Sequence, residues 1–315
     1  MAWTFHRRNL LSNQPDFLPF AFLPVLKPVG PTSHDVVGRV RRLLPRKTRV
    51  GHTGTLDPFA SGVMILGIGK ATRFADDVHL LPKSYRGVIR LGEETDTLDL
   101  TGEVVKTIPV PSFSDEDLDA LAARFSGEQD QMPPAYSAKK VGGKRAYELA
   151  RNNQKVELKT RRITIHASKL SRQDDNHLIY DVTCSTGTYI RSLARDIGEA
   201  MGTCGHLTSL VRTEVGPLTK DKCVEMDALT AENLKNYLIP ISNLLPHIEA
   251  LQIGMDISQY LAQGRAWPSD EPYPEDFLAT YRDDAGVIQH IFRCSYDSEN
   301  KVIRSKMMCY ERPRE

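Results

Sequence analysis

One short segment, Gly51-His-Thr-Gly-Thr-Leu-Asp-Pro-Phe-Ala-Ser-Gly62, limits what this chain can fold into more than any other. It holds a single carboxylate, Asp57, among small turn-forming residues, and Pro58 follows it at once. Gly51, Gly54 and Gly62 admit backbone conformations that other residues resist, while Pro58 fixes its own φ. The apolar run Val63-Met-Ile-Leu66 that comes next reads as a buried strand. Such a segment holds one acid at a rigid strand edge, where a ligand can reach it. The competing reading of these residues alone is a glycine-rich turn with a solvated aspartate.

The rest of the chain narrows the function classes. At 315 residues it can bury a substantial core, as one large or two unequal domains, without help from disulfides or metals. No apolar run reaches the ~18 residues that a membrane-crossing helix needs. Arg7 and Arg8 are followed by Pro15, Asp16 and Pro19, a poor signal peptide, so a cytoplasmic location is expected. The five cysteines (184, 204, 223, 294, 309) contain no C-x-x-C pair, which disfavours both a zinc site and a disulfide framework. Gly67-Ile-Gly69-Lys70 looks like a phosphate-binding loop, but Met64 and Ala71 stand where that motif needs Gly and Ser or Thr.

A net charge of +1 hides a strong asymmetry. Residues 1–80 carry eleven Lys/Arg against five Asp/Glu, residues 131–170 ten against two, and residues 91–130 two against eleven. Two basic segments can line a groove that attracts phosphates, although solvated faces explain such blocks equally well.

Local patterns give the organisation. Residues 1–21 lack periodicity and read as an extension. Phe22–Val25 reads as a strand, and Ser33 can cap a helix through about Leu44 with Val36, Val37, Val40, Leu43 and Leu44 on one face. The other face and following turn carry Arg39, Arg41, Arg42, Arg46, Lys47 and Arg49. Strand Ser84–Leu91, an acidic turn-rich segment Thr95–Thr101 and helix Asp115–Phe125 follow. Next come a short helix over 143–152, a hairpin of Val156–Leu170 with His177–Cys184, a helix over Tyr189–Met201 and a strand over Leu207–Val215. Hairpins and long excursions, without regular βαβ units, predict an α+β fold with a mixed, largely antiparallel sheet.

The Asp57 segment has company. Lys27-Pro-Val-Gly-Pro-Thr-Ser33 precedes it and Gly69-Lys-Ala-Thr-Arg73 follows. Ser84-Tyr85-Arg86, Gln131-Met-Pro-Pro-Ala-Tyr-Ser-Ala138, Ser185-Thr-Gly-Thr-Tyr-Ile-Arg191 and Gly205-His-Leu-Thr-Ser-Leu210 come later in order. Together these blocks resemble the TruB family of tRNA pseudouridine synthases over roughly residues 22–215. The resemblance implies a pseudouridine synthase fold with helices and loops flanking the central sheet. It implies a catalytic unit at 22–249, a tRNA-gripping insertion at about 125–160, and a small β-rich PUA-like RNA-binding domain at 250–315.

It also implies the roles of individual residues. Asp57 is the essential acid, Arg191 its expected ion-pair partner, and Tyr85 the ring that stacks on an extruded uracil. Tyr189 and Leu210 wall the base pocket, and His52 contacts the RNA loop where the nucleotide flips. Lys27 and Lys70 are candidates for phosphate contacts, with Lys139, Lys140, Lys144 and Arg145 as a second basic patch. The implied reaction is isomerisation of the T-loop uridine-55 of tRNA, with neither cofactor nor metal and without guide RNA, by a monomer. The family's guide-dependent, dyskerin-like branch and a non-catalytic RNA-binding module are the rival readings. Leu26, where the family usually has aspartate, and Pro24 put the geometry of the first strand in doubt; Val211 stands where many members have arginine.

Overall fold

The computed structural model describes residues 20–134, 140–141, 144–145 and 159–312. Its centre is a ten-stranded, mostly antiparallel sheet. Along it lie Val224–Glu225, Phe20–Lys27, Ser61–Gly69, Gly205–Val215, Lys83–Leu91, His177–Cys184, Arg161–Arg172 and Gly127–Gln131. Val50–His52 and Leu218–Thr219 pair beside this path. Ser61–Gly69 pairs parallel to Gly205–Val215 and antiparallel to Phe20–Lys27, so the sheet is mixed where the Asp57 loop leaves it. With helices packed against it the architecture is α+β.

Pro24 does not break its strand. Phe22 exchanges both backbone bonds with Ile239, on the edge away from Ser61–Gly69. Pro24, two residues on, turns its missing N–H to that same edge, where pairing with Val224–Glu225 starts only at Val25. The ladder to Ser61–Gly69 is continuous from Phe20 to Lys27.

The helix Ser33–Arg42 buries Val36, Val37 and Val40 against that strand pair. Its cap is Thr32, not Ser33: Thr32 accepts from the Asp35 N–H while the Asp35 carboxylate accepts from the Thr32 N–H. Its arginine face is also less free than the sequence suggests. Arg39 pairs with Asp227 at 2.7 Å, and Arg41 donates to the Val50 carbonyl. A second capped helix, Asp115–Arg124, covers Arg161–Arg172 through Leu118, Leu121 and Ala122. The helix Ile190–Ala200 buries Ile190, Leu193, Ala194 and Ile197, and with them Arg191.

Lys144–Arg145 pairs with Lys140–Val141 in a hairpin, so a helix over 143–152 does not begin there. The remainder of that expected helix, the Ala135–Ala138 part of the motif, Lys139 and the rest of the expected gripping segment lie outside the described residues, as does almost all of 1–21. Part of the basic excess of 131–170 is neutralised by the acidic block, since Arg162 pairs with Glu128 and Asp130.

A five-stranded C-terminal sheet orders Glu249–Gln252, Asp276–Arg282, Ile288–Asp297, Val302–Glu311 and Trp267–Pro268. It shares a core with the central sheet, in which Leu278, Ile291 and Tyr310 join Phe20, Phe74 and Ile241. Arg293 fixes the junction, pairing with Asp77 and Asp276 at 2.7 Å each above the Phe74 ring. No helix among the described residues is long and apolar enough to cross a membrane.

Candidate active site

Asp57 sits in the loop between Val50–His52 and Ser61–Gly69, and buried groups hold that loop from beneath. Ser33 Oγ accepts the Leu56 N–H at 2.8 Å and donates to the Leu56 carbonyl at 3.0 Å. Arg212 donates from Nε to the Val63 carbonyl at 2.6 Å, and its two terminal nitrogens reach the Thr55 and Gly54 carbonyls at 3.3 and 3.2 Å. Of the three loop glycines only Gly62 needs its lack of a side chain for both conformation and space. Its φ is +109°, and a Cβ there would stand 2.2 Å from the Arg212 carbonyl oxygen.

Lys27 belongs to this support. Its ammonium is buried and donates to the Ala60, Pro28 and Pro58 carbonyls at 2.6, 2.9 and 3.4 Å. The expectation of a surface phosphate contact does not fit that placement, because the donors of Lys27 are spent inside the loop. Burial also pulls its pKa down to about 8, opposed by the nearby Asp57 charge.

Arg191 meets Asp57 from the helix Ile190–Ala200. Its Nε lies 3.0 Å from Oδ2, and a terminal nitrogen donates to Oδ1 at 3.3 Å. This two-pronged grip fixes both position and orientation of the carboxylate. The helix start is pinned in turn: the Gln131 amide accepts the Tyr189 N–H at 2.8 Å and donates to the Tyr189 carbonyl at 3.0 Å.

A second carboxylate completes the arrangement. Asp99 Oδ2 lies 3.3 Å from Arg191, which also donates to the Thr97 carbonyl at 2.8 Å. The other Asp99 oxygen accepts from the Thr101 backbone and from the Thr97 and Thr101 hydroxyls. Burial pushes the Asp57 carboxyl above the ordinary aspartate range; Arg191 opposes this, Asp99 reinforces it and Lys27 opposes it.

Tyr85 is half-buried on Lys83–Leu91, opposite Arg212 in the ladder to Gly205–Val215, and packs on the core that includes Leu210. Burial raises its phenol pKa, and the nearby Arg212 charge opposes the shift. Leu210 is itself buried, whereas Tyr189 is half-buried. His52 is half-buried, and its Nδ1 is buried without a partner among the described residues. Burial holds its pKa below the usual histidine value. Lys70 is not brought to Asp57. It stands past the far end of Ser61–Gly69, roughly 26 Å along that strand at ~3.3 Å per residue.

The structure therefore gathers Asp57, Arg191, Tyr85 and Lys27, and gives a place at the site to two residues to which sequence reading assigned no role. Asp99 lies in what reads as an acidic turn, and Arg212 is one of many arginines. The Thr-x-Asp-x-Thr pattern of Thr97–Thr101 was the available signal for Asp99, since flanking hydroxyls are what a buried carboxylate needs.

Comparison with known proteins places these residues in a family. Residues 41–190 match the TruB family pseudouridylate synthase N-terminal domain, and residues 191–247 the tRNA pseudouridylate synthase B C-terminal domain. Curated relatives named tRNA pseudouridine synthase B include one from Mycobacterium sp. (strain KMS). It is 49% identical over 65% of this chain and 70% of the relative. Another, from Heliobacterium modesticaldum, is 41% identical over 78% of this chain and 83% of the relative. Among solved structures, a Cbf5-Nop10-Gar1 complex matches with a TM-score of 0.66 at 21% identity, covering 95% of this chain and 88% of that one. At that identity the likeness bears on the fold alone. The fold, the acid held by its arginine and this similarity agree: the chain belongs to the TruB family of pseudouridylate synthases.

Proposed function

We propose that this protein isomerises uridine-55 in the T loop of tRNA to pseudouridine, using Asp57 and no cofactor or guide RNA. The observation that carries the reading is the Asp57 carboxylate, oriented by Arg191 from below and partly open on its other side. The relatives' name supplies the substrate class.

The chemistry needs little more than this. The N1–C1′ bond breaks with its electron pair leaving on the base, the base turns, and C5 bonds to C1′. The C5 proton is then lost and N1 gains one, so atoms and charge balance. Positive character at C1′ calls for an ionised carboxylate, as in glycoside hydrolysis. Because the leaving group is recaptured, no second carboxylate is needed to activate water. Attack on C1′, attack on C6 and removal of the C2′ proton all begin from the same ionised Asp57.

A uridine inside a loop must be turned outward to reach that carboxylate, and an aromatic face offsets part of the unstacking. Tyr85 is the proposed stacking partner, worth about 1–3 kcal/mol, with Tyr189 and Leu210 as walls. His52, half-buried on the strand that leads into the Asp57 loop, is the proposed contact with the displaced loop. Lys70 is a proposed backbone contact away from the chemistry. We assign catalysis to 22–249, RNA contact to the C-terminal sheet of 250–315, and action as a cytoplasmic monomer. The test is proton release from C5: purified protein alone should liberate tritium from tRNA transcribed with [5-³H]uridine. No release without added guide RNA or partner proteins would reject the guide-free reading.

A further inference from the structure

His79 stands where the three segments that carry the site meet, although it belongs to none of the motifs that mark them. It lies on the short helix Ala75–Leu80. Its ring Nδ1 is 3.3 Å from the Thr53 carbonyl oxygen, and its Nε2 is 2.8 Å from the Thr186 hydroxyl. A carbonyl only accepts, so Nδ1 carries the hydrogen, and in the neutral ring Nε2 then accepts from Thr186. Partial burial and the Lys83 charge favour that neutral ring, holding its pKa below the usual histidine value against the pull of the Thr53 carbonyl.

Each ring partner opens a segment that ends in a site residue. Thr53 opens the Asp57 loop, and its N–H and hydroxyl both donate to the Ile65 carbonyl, at 3.1 and 3.2 Å. Thr186 opens the turn that delivers Tyr189 and Arg191. Before it, the Ser185 N–H donates to the Thr164 carbonyl at 2.8 Å; after it, Tyr189 is pinned by Gln131. The third segment is the strand of Tyr85. From that strand the buried Lys83 ammonium donates to the carbonyl of His79 itself and to that of Leu81 at 2.7 Å. The helix is anchored further by buried Val78 and by Asp77, which Arg293 holds at 2.7 Å. The backbone that bears the imidazole is therefore fixed, and its two ring bonds set how far Thr53 stands from Thr186. The direct pair of Arg191 with Asp57 joins the same two loops from within the site.

We infer that His79 is a positioning residue for the proposed isomerisation, on which reading its role rests. By bridging Thr53 and Thr186 it fixes the approach of the Arg191 segment to the Asp57 loop, acting through those loops and not on the uridine. A displacement of about 1 Å between reacting groups can cost about 10²-fold in rate, so a lost tie should appear in the chemical step more than in binding.

The test is single-turnover tritium release, with binding of the same tRNA transcript, by His79→Leu, His79→Gln and Thr186→Val proteins. His79→Leu removes both ring bonds, and its rate should fall about tenfold. Its Kd for the transcript should stay within about twofold of the wild type. His79→Gln, whose amide offers a donor and an acceptor, should restore most of the rate. Thr186→Val should also slow turnover, and adding it to His79→Leu should cost nothing more, because the bridge is already gone. A wild-type rate in folded His79→Leu protein, equal losses in the Leu and Gln variants, or losses that multiply in the double variant would overturn the bridge. Should His79→Leu fail to fold, a wild-type rate in Thr186→Val protein would overturn it as well. Tritium release by the wild type, run beside them, distinguishes these failures from failure of the proposed function.

Discussion

Arg191 reaches Asp57 across 134 positions of sequence and holds it at 3.0 Å, and the same guanidinium lies 3.3 Å from Asp99. One cation therefore serves two carboxylates. It opposes the cost of ionising Asp57 in a largely buried site, and it ties the Thr97–Thr101 turn to the catalytic loop.

Arg191→Ala should be the most damaging single change at this site. It leaves Asp57 and Asp99 without their shared partner, which should lower stability by about 3–5 kcal/mol. Chemical denaturation and single-turnover kinetics would check both effects. Near-normal turnover in a folded variant would contradict the assignment.

Asp57→Asn should behave differently, losing turnover by at least about 10³-fold while keeping the fold. Its melting temperature should not fall. Burial raises the Asp57 pKa, so the folded protein holds that proton more tightly than the unfolded chain does. The ionised group is thus a net cost near neutral pH, and a neutral amide removes it. A marked loss of stability would show that Asp57 is structural.

The same shift fixes the acid side of the pH profile. Turnover needs ionised Asp57, so the rate should fall as pH drops through its raised folded value. That limb should lie above the ordinary aspartate pKa of 3.8. Single-turnover rates across the acid range would show it, and a limb below 3.8 would contradict the burial argument.

Gly62→Ala should destabilise by at least about 2 kcal/mol, from strain at positive φ and a clash with backbone that cannot swing away. Because the Arg212 carbonyl is what it strikes, turnover should fall along with the melting temperature. Gly51→Ala meets only the Thr72 methyl at 3.6 Å and should be tolerated. Equal effects of the two would remove the special standing of Gly62.

Much of this was readable from residue order. Asp57, Arg191 and Tyr85 lie in motifs that survive as strings, and the helices over 33–42 and 190–200 show as apolar stripes. What escaped depends on folding at a distance. Lys27 looks like any surface lysine until the loop carbonyls close over it. Arg212 and Asp99 acquire their roles only when the strand 205–215 and the Thr97–Thr101 turn meet the Asp57 loop. Ser33 reads as a helix cap, but the serine is drawn to Leu56 and Thr32 takes its place. That Lys70 lies at the far end of its strand from the catalytic acid is likewise a product of the fold and not of residue order.

The central claim is that Asp57 isomerises one uridine in an otherwise unassisted reaction. Mapping pseudouridine on an unmodified tRNA transcript, with wild-type and Asp57→Asn protein in parallel, tests it most directly. The account predicts a single new pseudouridine at the T-loop uridine with the wild type and none with the variant. No modification by the wild type, or the same modification by both proteins, would contradict it.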